Sequence, residues 1–182
     1  MTNAAPILPK SQTIMNRREV LKSSFALAAS SPMRRIMACA NDDPGDGYIV
    51  TVRGAFASST MGPTLPHEHL LVDFIGAEQA TPDRYDSDEV FKTALPHLKR
   101  LKEQGIATLI ECTPAYLGRN PLLLNRLAKA SGVRIVMNTG YYAANGGKHL
   151  PAHVQHESAD EIAARWTKEW REGIGRAAIR PG

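Results

Sequence analysis

Two short runs, Ala107–Thr113 and Val133–Thr139, are almost unbroken in apolar and β-branched residues, and an amphipathic helical stripe precedes each one. A strand that alternates apolar and polar side chains buries one face. A strand apolar throughout must be covered on both, which is the pattern of a parallel sheet layered by helices. The helical stripes supply that cover. Asp86-Ser87-Asp88-Glu89 reads as a capping box before Val90, Phe91, Ala94, Leu95, Leu98 and Leu101. Pro96 interrupts this stripe and is expected to kink or split the helix. Asn120-Pro121 opens a second helix carrying Leu122, Leu123, Leu127, Ala128 and Ala130, which Gly132 stops. Ser158-Ala159-Asp160-Glu161 caps a third, with Ile162, Trp166, Trp170 and Ile174 on one face and both tryptophans read as core residues. Tyr48–Arg53 reads as a further strand and Gly54–Gly62 as a Gly/Ser-rich bend.

The first strand of the strand–helix series begins in Gly62-Pro63-Thr64-Leu65-Pro66-His67-Glu68-His69-Leu70. Side chains alternate along a strand, so His67 and His69 share a face and Glu68 takes the other. Two imidazoles ~7 Å apart along one strand can converge on one metal ion, or can simply be hydrogen-bonded strand residues. Glu68 then reads as a salt-bridged structural residue, and Asp73 as either an orienting partner for a histidine or a loop cap. The series fits an open doubly wound sheet or part of a (β/α)₈ barrel. No Gly-x-Gly-x-x-Gly or P-loop supports nucleotide binding. Histidines at the C-terminal end of a parallel strand favour the barrel, whose chemistry collects at that rim.

The net charge of +4 suggests a nucleic-acid partner only until its distribution is considered. Residues 1–40 hold six basic groups and one acid, and the rest of the chain holds 16 basic and 17 acidic residues. The body is close to neutral, which argues against nucleic acid. In residues 1–40, Arg17-Arg18 precedes a short apolar segment ending in Ala38-Cys39-Ala40, similar to a twin-arginine export signal with a mature start near Asn41. Met15 is an alternative start, and the location expected is periplasmic or secreted. Lipid anchoring at Cys39 is the weaker alternative, because Arg34 and Arg35 intrude where a lipobox needs apolar residues. No apolar stretch reaches the roughly 20 residues of a membrane span. Cys39 and Cys112 make no disulfide framework, and Cys112 reads as a buried thiol.

The Gly62–Leu70 run is similar to the first signature of the phosphotriesterase family in the amidohydrolase superfamily, Gly-x-Thr-Leu-x-His-Glu-His-aliphatic, with every fixed position met. Further similarity lies in Thr108–Pro114, Gly118–Pro121, Asn138–Tyr142 and the stretch from Gly173 to Gly182. The resemblance implies a distorted (β/α)₈ barrel with two divalent metals, usually zinc, at its C-terminal rim. His67 and His69 would bind one of them. A carboxylated lysine on the fourth strand, two later histidines and an aspartate would complete the pair, and a metal-bound hydroxide would attack a lactone or an organophosphate ester. Tyr142 falls where the family often carries a substrate-lining aromatic, although a packing role at the rim is as good a reading.

The family's bridging lysine, later histidines and aspartate would follow Gly182, and none of Lys92, Lys99, Lys102, Lys129, Lys148 or Lys168 takes the lysine's place. The expectation is therefore the N-terminal part, 41–182, of such a barrel: about three strand–helix units, weakly active or inactive alone. A non-catalytic binding protein on the same scaffold is the alternative, and a homodimer is an option for the complete protein. His149, His153 and His156 are read as loop or solvent histidines, since Pro151 prevents a regular helix there and the family draws no ligand from that loop. His97 reads as a surface residue.

Overall fold

The computed structural model describes residues 47–182, and the leader expected over 1–40, Cys39 included, lies outside the described residues. Strand β1 (Tyr48–Thr51) pairs antiparallel with β2 (Gly54–Ala57) in a sheet of its own. Strands β3 (Thr64–Glu68), β4 (Thr108–Glu111) and β5 (Arg134–Met137) form a parallel sheet in that order. Helix α1 (Ser87–Glu103) connects β3 to β4, α2 (Pro121–Ser131) connects β4 to β5, and α3 (Ala159–Glu172) follows β5. The expected α/β class and the repeating strand–helix order are both present, as a run of parallel strands without a closed barrel. No described helix is long and apolar enough to cross a membrane.

Local chemistry accounts for the helix ends. Asp86 caps α1 by accepting from the backbone N–H groups of Asp88 and Glu89, satisfying two of the donors that a helix start leaves free. The Asn120 side chain accepts from Leu123 N at 3.0 Å, and Pro121 takes the first helical position, where its missing N–H is not needed. Ser158 and Glu161 form the reciprocal capping box of α3. Pro96 neither splits nor ends α1, which runs as one helix through it.

The core lies where α1 and α2 cover the sheet. Leu98, Leu109, Leu123, Leu127, Val133, Ile135 and Met137 are buried, with Val52 and Ile179 joining from outside the parallel sheet. Within α2, Leu124 is buried and Leu122 is 61% exposed, so the stripe is rotated from the one expected. On α3 the expected core role fails for Trp170, which is 49% exposed and lies under the Arg180 guanidinium, 5.5 Å from its ring centroid. Trp166 is half-buried. The period put both on one face, but no other described element covers the part of that face that carries Trp170.

The segment expected as a bend holds β2 instead. Gly54 adopts φ 109°, a value an L side chain resists, and lets the chain reverse over Val52-Arg53. Thr51 Oγ1 donates to Gly54 O at 2.7 Å and fixes that reversal. Small residues in β2 hid its strand character. The hairpin docks on the sheet through Val52 N–H, which donates to Ile135 O at 2.9 Å.

Candidate metal centre

His67 lies near the C-terminal end of β3 and His69 directly after it. Their ring centroids are 5.2 Å apart with the planes at 71°, and both residues are exposed at the rim. The β3–β4 register slips beneath them: Leu65 pairs Leu109 and Glu68 pairs Glu111, so Pro66 and His67 together oppose Ile110 alone. Pro66 lacks the N–H that a regular ladder would use, and a bulge at a sheet edge is where such a residue is accommodated. Gly62, at φ 67°, brings the start of the run so near β4 that an added Cβ would lie 2.7 Å from the Ala107 Cβ.

Beside this pair stands a buried acid that the reading of the sequence passed over. Glu111, 1% exposed, accepts hydrogen bonds from three donors: the Thr113 hydroxyl, Thr113 N–H at 3.2 Å and Leu70 N–H at 3.3 Å. Burial holds its carboxyl above the ordinary range, outweighing those hydrogen bonds and the nearby Arg119 charge. Thr113 Oγ1 in turn lies 3.0 Å from His69 Nδ1. The signal was present, since Glu111 is an acid inside a run otherwise fit for a fully buried strand.

The donor set suits a divalent ion in part. Two imidazoles stand together, and His69 has one ring nitrogen occupied by Thr113, leaving Nε2 for a ligand. They fill half of the four positions of a tetrahedral shell. Among the described residues no third His, Cys, Asp or Glu forms a metal-binding group with them. Cys112 is only partly buried, correcting the core reading. Burial, and the charges of Glu111 and Glu68, push its thiol pKa up, so the neutral form prevails.

Other expectations are corrected nearby. Glu68 takes part in none of the described ion pairs. Asp73 acts as a loop cap rather than as a histidine's partner: it accepts from Ile75 N–H at 3.1 Å and pairs with Arg84 Nε at 2.7 Å. His149, read as a loop or solvent histidine, lies in the loop after β5 but is fully buried there, with its ring 5.6 Å from both Phe74 and Tyr142 and no hydrogen bond at either nitrogen. His153 is half-buried, its Nε2 lying 3.2 Å from Tyr141 Oη, whereas His156 and His97 are exposed as expected. Tyr142 is 37% exposed and packs edge-on to Phe74 at 6.2 Å. It therefore has a packing contact and an open face at once.

A cavity of about 300 Å³ lies among the loops after β3, β4 and β5 and the α3 helix, lined in part by Tyr116, Arg119, Tyr141, Arg165 and Glu169. Neither His67 nor His69 lines it. Glu169 neutralises Arg119 through two 3.0 Å contacts, and Glu157 neutralises Arg165. These two ion pairs tie the loops after β4 and β5 to α3.

A parallel strand–helix series with paired histidines at a C-terminal strand end defines the class as an α/β protein with its candidate site at the strand rim. The model of the phosphotriesterase family matches residues 47–182, and this chain belongs to that family. It is 34% identical over 122 residues to the aryldialkylphosphatase of Saccharolobus solfataricus, covering 67% of this chain and 38% of that protein. It is 30% identical over 121 residues to the phosphotriesterase homology protein of Escherichia coli, covering 66% of this chain and 39% of that one. Among solved structures, the organophosphorus hydrolase from Deinococcus radiodurans superimposes with a TM-score of 0.66 at 30% identity, over 76% of this chain and 43% of that one. The chain thus spans about two-fifths of the length of the relatives it matches.

Proposed function

We propose that this chain supplies half of the first metal site of a zinc-dependent hydrolase acting on small lactones or organophosphate esters. The observation that carries the reading is the His67–His69 pair, two imidazoles 5.2 Å apart at the C-terminal rim of a parallel sheet. A divalent metal bound there would supply a Lewis acid for the oxygen of the ester and a means of acidifying water. The chain's own contribution is positioning. His67 and His69 would offer ring nitrogens from one short stretch whose bulge sets their direction. Tyr142 presents its exposed aromatic face at the same end of the sheet, where it suits the apolar part of an ester or lactone. Two imidazoles alone hold a metal loosely, so weak or no turnover is expected from the 182 residues by themselves. Arg17-Arg18 supports export of the folded protein to the periplasm or beyond.

The test is metal analysis of the purified chain alongside His67→Asn and His69→Asn variants, with turnover measured on a lactone and on a phosphotriester. Bound zinc that falls in both variants is expected, and mass spectrometry of exported protein should read an N-terminus near Asn41. Metal content indifferent to both substitutions would sink the assignment, as would robust turnover that survives them.

A further inference from the structure

The contacts around His69 determine more than its position. A threonine hydroxyl has one proton to give and lone pairs to accept with. Thr113 Oγ1 gives its proton to Glu111 Oε1. With Glu111 ionised, the carboxylate has no proton to return, and the two further donors aimed at it, Leu70 N–H at 3.3 Å and Thr113 N–H at 3.2 Å, are backbone groups that only donate. With its proton committed, Thr113 Oγ1 meets His69 Nδ1 at 3.0 Å as an acceptor. The proton on that edge of the ring must then belong to Nδ1, which leaves Nε2 with its lone pair.

We infer that Glu111 and Thr113 act as positioning residues that lock His69 as the Nδ1–H tautomer, so that Nε2 faces outward as a ready metal donor. The same carboxylate oxygen also holds the backbone next to that ring, through Leu70 N–H. Ring and backbone are thereby fixed from one buried anchor on β4. The arrangement performs the task of the carboxylate–histidine pairs that support metal ligands, here with a hydroxyl inserted between acid and imidazole. Its consequence for metal affinity rests on the function proposed above, whereas the tautomer itself does not.

The experiment uses the metal-free 182-residue chain with ¹⁵N-labelled histidine, and reads the His69 tautomer from its two ring-nitrogen shifts. Wild type and Thr113→Ser should carry the proton on Nδ1. Thr113→Val, which keeps the shape but removes the hydroxyl, should move His69 toward Nε2–H, the form favoured by a free imidazole. Zinc titration of the same three proteins should show affinity falling roughly 10- to 100-fold in Thr113→Val and restored in Thr113→Ser. A wild-type His69 protonated on Nε2 overturns the inference even if Thr113→Val fails to fold, and so does a Thr113→Val spectrum identical to wild type. An Nδ1–H wild type that shifts in Thr113→Val but takes up no zinc upholds the lock and removes the proposed function instead.

Discussion

Glu111 shows how one side chain couples this fold to pH. Burial raises its proton affinity in the folded chain above the ordinary value of 4.5. By linkage, the stability contributed by such a group is complete below its unfolded pKa and is lost as the pH rises through the folded one. The relevant window therefore runs from 4.5 up to the raised value. Melting curves of wild type and Glu111→Gln, compared from about pH 4 to about pH 8, isolate this term. The difference, wild type minus variant, should shrink as the pH rises through the window. A constant difference would mean that folding leaves the proton affinity of Glu111 unchanged. At this scale the sequence was partly legible. The histidine pair stood out because its chemistry lies within three consecutive residues. The Glu111–Thr113 support did not, because its meaning depends on residues 41 and 44 positions away, Leu70 and His69. His149 was hidden for the same reason, since Phe74 and Tyr142 come from two separate loops to enclose it.

Elements that signal locally were the easiest to read. Asp86, Asn120 and Ser158 each cap a helix as expected, because a cap is decided by the three or four residues that follow it. The hairpin was missed because β2 is Gly-Ala-Phe-Ala, whose strand state comes from pairing with β1 rather than from its own propensity. Helix α2 allows local and tertiary contributions to be compared directly. Leu127 is wholly buried between sheet and helix, so Leu127→Ala should cost about 2–5 kcal/mol, the range for a truncated core leucine. Asn120→Ala removes a cap and should cost about 0.5–2 kcal/mol. Urea unfolding of the two variants should keep that order, and a cap loss larger than the core loss would show that α2 is held by its end rather than by its face.

Across the whole molecule, the three parallel strands differ in how far the chain travels between them. Thr108 on β4 pairs with Arg134 on β5, 26 residues on, while Thr64 on β3 pairs with Thr108, 44 residues on. The longer connection costs about 0.5 kcal/mol more in closure entropy. The shorter unit also has the better cover: α2 buries Leu123, Leu124, Leu127 and Ala128, whereas α1 buries only Leu98. Pulsed hydrogen exchange during refolding should therefore find the Arg134 amide, bonded to Ala107 O, protected before the Ala107 and Cys112 amides, which bond to Pro63 O and Glu68 O of the β3 segment. Simultaneous protection of all three would refute that order.

The register slip at Pro66 and His67 adds a consequence in time. A strand with an irregular ladder has fewer matched bonds to recruit it, so β3 should close onto a β4–β5 unit already formed. The two histidines would then meet late in folding, on a surface whose supporting carboxylate and hydroxyl had been in place beforehand.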